Sequence, residues 1–313
     1  MKRPPRRHHV VPAAYLAGFT PTGRRDDFLW VYDAEGRRRW RARPDQAGIE
    51  KDFYRIRVDG IDEFALEEGL GRAESELIPH LREFLQAERM VRSSLEPVLL
   101  FFAIQVVRGT SIRRLVEQVA MNHVLRMAEF VSADEDTYAS MLASLREHGH
   151  DPETMPTRNE FREALSSGGI SAEFESTEIH REVFRHVEYF HGLLTARHWS
   201  VTTPAEGAGY FVTSENPLPV VGLLNPEPNV AVKFGLYERD CVLPLSHSLA
   251  LVGREEPGEI PDVLGEESVA YANAHVISAA RYIFSPTQDF RFRIREGEFG
   301  DQADILADRT VRE

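Results

Sequence analysis

At 313 residues, 42% hydrophobic and 28% charged, the chain has the composition of a folded globular protein, long enough for one large domain or two ordinary ones. No apolar run reaches the roughly 18–20 residues that a membrane helix needs, and the basic start has no long apolar segment behind it, so neither a membrane span nor a secretory leader is expected. A single cysteine, Cys241, excludes an internal disulfide and a thiolate zinc cluster, and it suits a reducing cytoplasm.

The net charge of −13 argues against general affinity for a phosphate backbone. The charge is unevenly spread, however. Residues 1–57 hold fourteen lysines and arginines against seven aspartates and glutamates. Such asymmetry marks either an anion-facing surface or a basic edge docked on an acidic region of the same chain.

In chain order, "RRHHVVPAAYLAGFT" (6–20) sets His8 and His9 before a short apolar run and Pro12. "DFLWVYDAEGRRRWRA" (27–42) predicts a β-hairpin about the turn Asp33-Ala34-Glu35-Gly36, and "DFYRIRV" (52–58) a third short strand. From Glu63 to Gln86 the period is helical, with a stripe of Phe64, Leu66, Leu70, Leu77, Leu81 and Phe84. Gly69 and Gly71 weaken its first turns.

Residues 93–131 open with Ser93 or Ser94 as N-cap and Pro97 in the first turn. They run apolar on most faces as far as Gly109, the pattern of a centrally buried helix. A polar, glycine-bearing stretch from 149 to 171 loosens the middle, and helical pattern returns over 176–199. Short strands follow in "WSVTTP", "GYFVTS", "VAVKF", "CVLPLS" and "SLALVG", then one helix over Glu267–Arg281, a strand-like "FRFRIRE" and a polar tail. Strands, then helices, then strands without βαβ alternation indicate an α+β fold. The expected organisation is one domain over 1–313: an N-terminal motif and hairpin (1–60), a central bundle-like helical region (61–198), and an antiparallel β-rich region with one helix (199–313).

Several motifs now stand together: His9 to Pro12 with Tyr15, Leu16 and Phe19; Gln105 with Arg108; Thr213 to Pro217; Pro244 to Ser246; and Asn273 with "RYIF" at 281–284. Their order and content resemble the bacterial domain-of-unknown-function 4238 family. That family shows a His-x-x-Pro start, a Gln-x-x-Arg helix, a Thr-Ser-Asp-Asn-Pro turn and a Pro-Leu-Ser strand. The resemblance spans nearly the whole chain but implies no activity. Where the family's turn carries aspartate, this chain has the longer Glu215.

Gln105 and Arg108, three apart, share one helix face. A guanidinium in so apolar a helix needs an anionic partner, either internal, such as Glu68 or Glu74, or a ligand phosphate or carboxylate. "FVTSENP" offers hydroxyl, carboxylate and amide groups at a strand end, and it reads equally as a self-bonded capping turn. His8, His9 and Glu215 suit a divalent metal such as Mn, Mg or Zn that would activate water. Alternatively, the histidines bond backbone where the first turn packs on the core. The letters also match the histidine motif of HNH-type nucleases, but only seven residues precede His8, too few for that fold's leading strand. His180 and His191, eleven apart, read as partly buried core histidines. HExxH, P-loop, GxGxxG and GxSxG patterns are absent, so no nucleotide cofactor is expected.

The leading expectation is a metal-assisted hydrolase acting on a phosphodiester, nuclease-like, with a pocket between the helical and β-rich regions. His9 and Glu215 would hold metal or activate water, Arg108 would stabilise anionic charge, and Gln105, Arg108, Thr213, Ser214 and Asn216 would contact an anionic small molecule or nucleic acid. The alternative is a non-enzymatic ligand- or protein-binding component of a bacterial stress or phage-defence system.

Overall fold

The computed structural model describes residues 7–51, 53–56, 60–151, 154–218, 220–221, 233–234, 240–278, 280–295 and 297–307. The chain opens with β1 (Arg7–His9), α1 (Ala13–Leu16), β2 (Leu29–Asp33), β3 (Arg38–Ala42) and β4 (Ile49–Lys51). Seven helices follow: α2 (Ala65–Ala87), α3 (Arg92–Arg108), α4 (Thr110–Ala133), α5 (Glu135–Glu147), α6 (Arg158–Ser166), α7 (Ser176–Phe184) and α8 (Val187–Thr195). The C-terminal part holds β5 (His198–Pro204), β6 (Thr213–Ser214), β7 (Val220–Val221), β8 (Lys233–Phe234), β9 (Asp240–Ser246), β10 (Leu249–Arg254) and β11 (Val263–Leu264). It ends with α9 (Glu266–Ile277), β12 (Tyr282–Ser285), β13 (Arg291–Arg295), β14 (Glu298–Asp301) and α10 (Gln302–Leu306). This is an α+β fold with an N-terminal hairpin, central helices and antiparallel sheets.

Two four-stranded sheets carry the β part, in the orders β11-β5-β10-β9 and β3-β2-β12-β6. The second joins the two ends of the chain, because β2 of the hairpin pairs antiparallel with β12, Val31 opposite Phe284. The principal core lies between α3 and these sheets. Phe101, Phe102, Val106 and Val107 of α3 are buried with Tyr15, Phe19, Leu29 and Val31 from the N-terminal part and Leu243, Leu245 and Leu251 from β9 and β10. Each such side chain contributes roughly 1.5–3 kcal/mol by leaving water. This accounts for the largely apolar sequence of α3: most of its circumference is covered, and only the face of Leu100 and Ile104 is partly open.

Several elements depart from the sequence expectation. The third strand is β4, and it pairs with β1 rather than extending the hairpin. Of the segment 52–58, residues 53–56 form no strand and 52, 57 and 58 lie outside the described residues. The helix over 93–131 is broken at Gly109, where α3 and α4 diverge by 51°. Its N-cap is Val91, whose side chain can make no capping bond, and the expected cap Ser94 lies inside the helix and bonds Glu83 on α2. The stretch 149–171 contains α6, opened by a capping box of Thr157 and Glu160, a signal present in the letters Thr-x-x-Glu. Helices α7 and α8 are separate, so His180 and His191 do not share a continuous face. The polar tail forms β14 and α10. Among the described residues, no single helix is long and apolar enough to cross a membrane.

Candidate functional site

The polar motifs fold into two networks. The first gathers on Tyr54, a fully buried residue of the loop after β4. His8, on β1, stacks on the Tyr54 ring with centroids 5.8 Å apart and planes 5° from parallel. Its Nδ1 accepts the Tyr54 backbone N–H at 2.8 Å, so the neutral ring carries its proton on Nε2. That atom lies 3.4 Å from Glu67 Oε2 yet lacks hydrogen-bond geometry to any described group. The Glu67 contact is therefore electrostatic rather than a formed bond.

Arg108 closes this network. Its Nε donates to the Tyr54 phenol at 3.0 Å, one terminal nitrogen pairs with Glu74, and the other donates to the His9 carbonyl. The phenol in turn donates to the Arg108 carbonyl at 3.3 Å. Burial opposes the guanidinium's charge, but Tyr54 and Glu74 outweigh it and hold its pKa above the ordinary value. Burial likewise pushes Tyr54 up to about 12, keeping it a donor. The partner demanded by the sequence is thus internal, and it is Glu74. His180 joins from α7: its ring lies 5.8 Å from that of Tyr54, Nε2 donates to the Phe53 carbonyl at 2.8 Å, and burial lowers its pKa.

The second network surrounds the turn after β6. Both oxygens of the buried Glu215 carboxylate accept backbone N–H groups, Oε1 from Arg281 at 2.6 Å and Oε2 from Tyr282 at 2.7 Å. Burial pushes its pKa up to about 7, against the pull of those donors. Ser214 Oγ accepts the Asn216 N–H at 3.1 Å, the self-bonded turn. Thr213 Oγ1 meets the Tyr15 hydroxyl at 2.8 Å, and that hydroxyl donates to the Pro244 carbonyl at 2.7 Å. Three motifs distant in sequence thus meet at one phenol. Gln105 Nε2 and Asn216 Oδ1 are buried with no hydrogen-bond partner among the described residues.

His8, the His9 backbone and Arg108 therefore come together, as do Thr213, Ser214, Glu215 and Asn216. The two groups adjoin at the α3–α4 break, where a methyl group on Gly109 would sit 3.4 Å from the Glu215 carbonyl. Their functional atoms nonetheless face different partners. The donor set does not fit a shared metal: His8 Nδ1 and both Glu215 oxygens are already committed to backbone N–H groups, and no three His, Cys, Asp or Glu side chains form a metal-holding group among the described residues. Sequence reasoning missed Tyr54, because nothing in "DFYRIRV" separates a buried hub from a strand aromatic, and Glu67, because in the first turn of α2 it reads as an ordinary helix-start acid. Cys241 is buried, and burial raises its thiol to about 12.

A half-open cleft of about 330 Å³ lies away from these networks, on the C-terminal part. Tyr210, Glu266, Asn273, Asp289, Phe290 and Arg291 are among its walls. Asn273 of α9 ties those walls together: Oδ1 accepts the Val212 N–H at 2.9 Å, and Nδ2 donates to the Tyr210 and Arg291 carbonyls at 3.0 and 2.9 Å.

The model of the family described as "Protein of unknown function (DUF4238)" matches residues 7–289 of the chain. No curated protein and no solved structure matches it.

Proposed function

Since the chain belongs to the DUF4238 family, whose description assigns no activity, we propose from its own geometry that it is a binding module for a small organic cation. The observation that carries this reading is the cavity braced by Asn273. A pre-formed concave site of this size suits a small ligand. Its polar lining is weighted towards anions: Glu266, Asp289 and Asp301 stand against the one cation Arg291, which pairs with Glu266. Tyr210 and Phe290 supply aromatic faces, and carboxylates beside aromatic rings favour an ammonium or amidinium carried on an apolar body.

The polar motifs then serve as scaffold. Arg108 and Glu215 spend their hydrogen-bonding capacity on the protein's own groups, which lends the hydrolase reading no support. Calorimetric titration with tyramine, its neutral analogue 4-ethylphenol and anionic 4-hydroxyphenylacetate tests the cavity. The expected result is saturable tyramine binding, at least about tenfold tighter than the neutral analogue, or ~1.4 kcal/mol. Asp289→Asn should remove most of that preference. Equal affinity for all three compounds, or no saturable binding, overturns the proposal. Turnover of bis(p-nitrophenyl) phosphate with Mn, Mg or Zn, abolished in Glu215→Gln of intact fold, would restore the metal-assisted hydrolase.

A further inference from the structure

We propose that the β2–β3 hairpin is a binding surface for single-stranded nucleic acid. Strand β3 stands at the outer edge of its sheet, and its residues Arg38, Arg39, Trp40 and Arg41 are all exposed. Three guanidinium groups lie over three aromatic rings: Arg38 over Trp40 at 5.3 Å, Arg39 over Trp30 at 5.9 Å and Arg41 over Phe28 at 5.2 Å. Alternation along the strand puts Arg39 and Arg41 on one face and Arg38 with Trp40 on the other. Both sides of the edge therefore present cation and ring together.

The charge is only partly neutralised. Asp33 is buried and spent on Arg38, Arg281 and the Gly36 N–H, and Glu35 pairs with Arg114 and Arg281. Arg39 and Arg41 make no ion pair among the described residues; both terminal nitrogens of Arg39 donate to the uncharged side-chain oxygen of Gln288, at 3.1 and 2.9 Å, which leaves its charge uncompensated. Meanwhile Trp40 and Phe28 keep 36% and 42% of their surface open to solvent, a cost in water that a hydrophobic core position would have removed. Exposed rings interleaved with guanidinium groups whose charge is only partly neutralised are what an unpaired strand needs: rings on which bases stack regardless of sequence, and cations that track the phosphates. A small anion would call for a concave pocket rather than a strand edge. A duplex shields its bases from such rings, and the strongly acidic remainder of the chain repels a second phosphate rail. The inference does not rest on the cavity's ligand and uses none of the residues that line the cavity.

The test is fluorescence anisotropy of the full chain with labelled 12-mers of uridine and thymidine over a range of salt concentrations, with unlabelled oligomer and inorganic polyphosphate as competitors. Saturable binding that weakens with salt is expected. The double variant Arg39→Gln/Arg41→Gln should weaken it at least about fivefold and flatten the salt dependence by a slope of about 1.4, at ~0.7 for each lost phosphate contact. Trp40→Leu should weaken binding while leaving that slope unchanged, which a purely electrostatic surface would not do. Thermal melts confirm that each variant is folded; all three positions are exposed. The proposal is overturned if the folded wild type binds neither oligomer at low salt. It is equally overturned if the variants bind as well as wild type, or if polyphosphate displaces the oligomer as effectively, phosphate for phosphate, as the unlabelled strand.

Discussion

At the residue scale, Arg108 and Glu215 make opposite demands on pH and mutation. Arg108 is a buried cation whose three donor nitrogens meet Tyr54, Glu74 and His9. Removing it leaves Glu74 and the Tyr54 hub without a counterpart, so Arg108→Ala should cost about 3–5 kcal/mol in urea unfolding of the ligand-free protein, and added phosphate should not change that loss. Glu215 works differently. Its folded pKa of about 7 lies above the ordinary carboxyl value because of burial, so the native state holds a proton that the unfolded chain releases. The stability linked to that proton is fully present below the ordinary carboxyl pKa and is lost as pH rises from about 4.5 to about 7, on the order of 3 kcal/mol. His180 and His275, lowered by burial, act with the opposite sign as pH falls below their ordinary range. The informative quantity is therefore the stability of wild type minus that of Glu215→Gln, which should fall by roughly 3 kcal/mol as pH rises through that window, because only the wild type loses the linked proton. A constant difference would refute the buried, raised carboxyl. The sequence made the need for an Arg108 partner legible, because charge in an apolar helix must be balanced, but it left Glu68, Glu74 and a ligand anion open; the choice of Glu74 depends on how α2 packs against α3. It could not reveal that Glu215 turns towards β12, since that depends on which strand lies beside it.

At the element scale, the break between α3 and α4 is set by extended backbone at Gly109, with φ −67° and ψ 150°, values open to any residue. A methyl group there meets only ordinary contacts. Gly109→Ala should therefore be neutral, or stabilising by about 0.4–1 kcal/mol through the unfolded chain, despite lying among the family's motifs. Gly253 of β10 offers the contrast. It faces Trp199 of β5 in register, and a Cβ would come within 2.8 Å of the indole ring, whose Nε1 is tied to the Leu194 carbonyl at 2.8 Å. Gly253→Ala should lower the melting temperature by several degrees, equivalent to about 1–3 kcal/mol of overpacking. The hairpin, α2, β9 and β10 were legible because their periods are strong and local. Strand β4 was not, because its pairing with β1 depends on residues some forty positions away, and helix α6 hid in a polar stretch where only its capping box spoke for it.

At the scale of the whole molecule, Tyr15, Thr213 and Pro244 join the N-terminal motif to the C-terminal strands, and one core runs from Val11 to Phe284. A cut in the loop near Gly149, which has a positive φ of 88°, should leave the two fragments associated through gel filtration without denaturant. Fragments that separate and each melt cooperatively would mean two independent domains. Charge is partitioned on the same scale: a cationic hairpin stands against an acidic remainder, so salt should affect partner binding far more than stability.

The pairing of β2 with β12 also has a consequence during synthesis. Strand β2 emerges early from the ribosome, but its partner residues 282–285 follow some 250 positions later, which at about 5–20 residues per second is a delay of roughly 12–50 seconds. For that interval one edge of β2 has no neighbour, and the inward faces of Leu29 and Val31, both buried in the finished protein, lie open to water and to other nascent chains. The guanidinium groups of β3 stand across β2 from the waiting edge, and their mutual repulsion would discourage hairpin from stacking on hairpin until the chain's own later strand arrives.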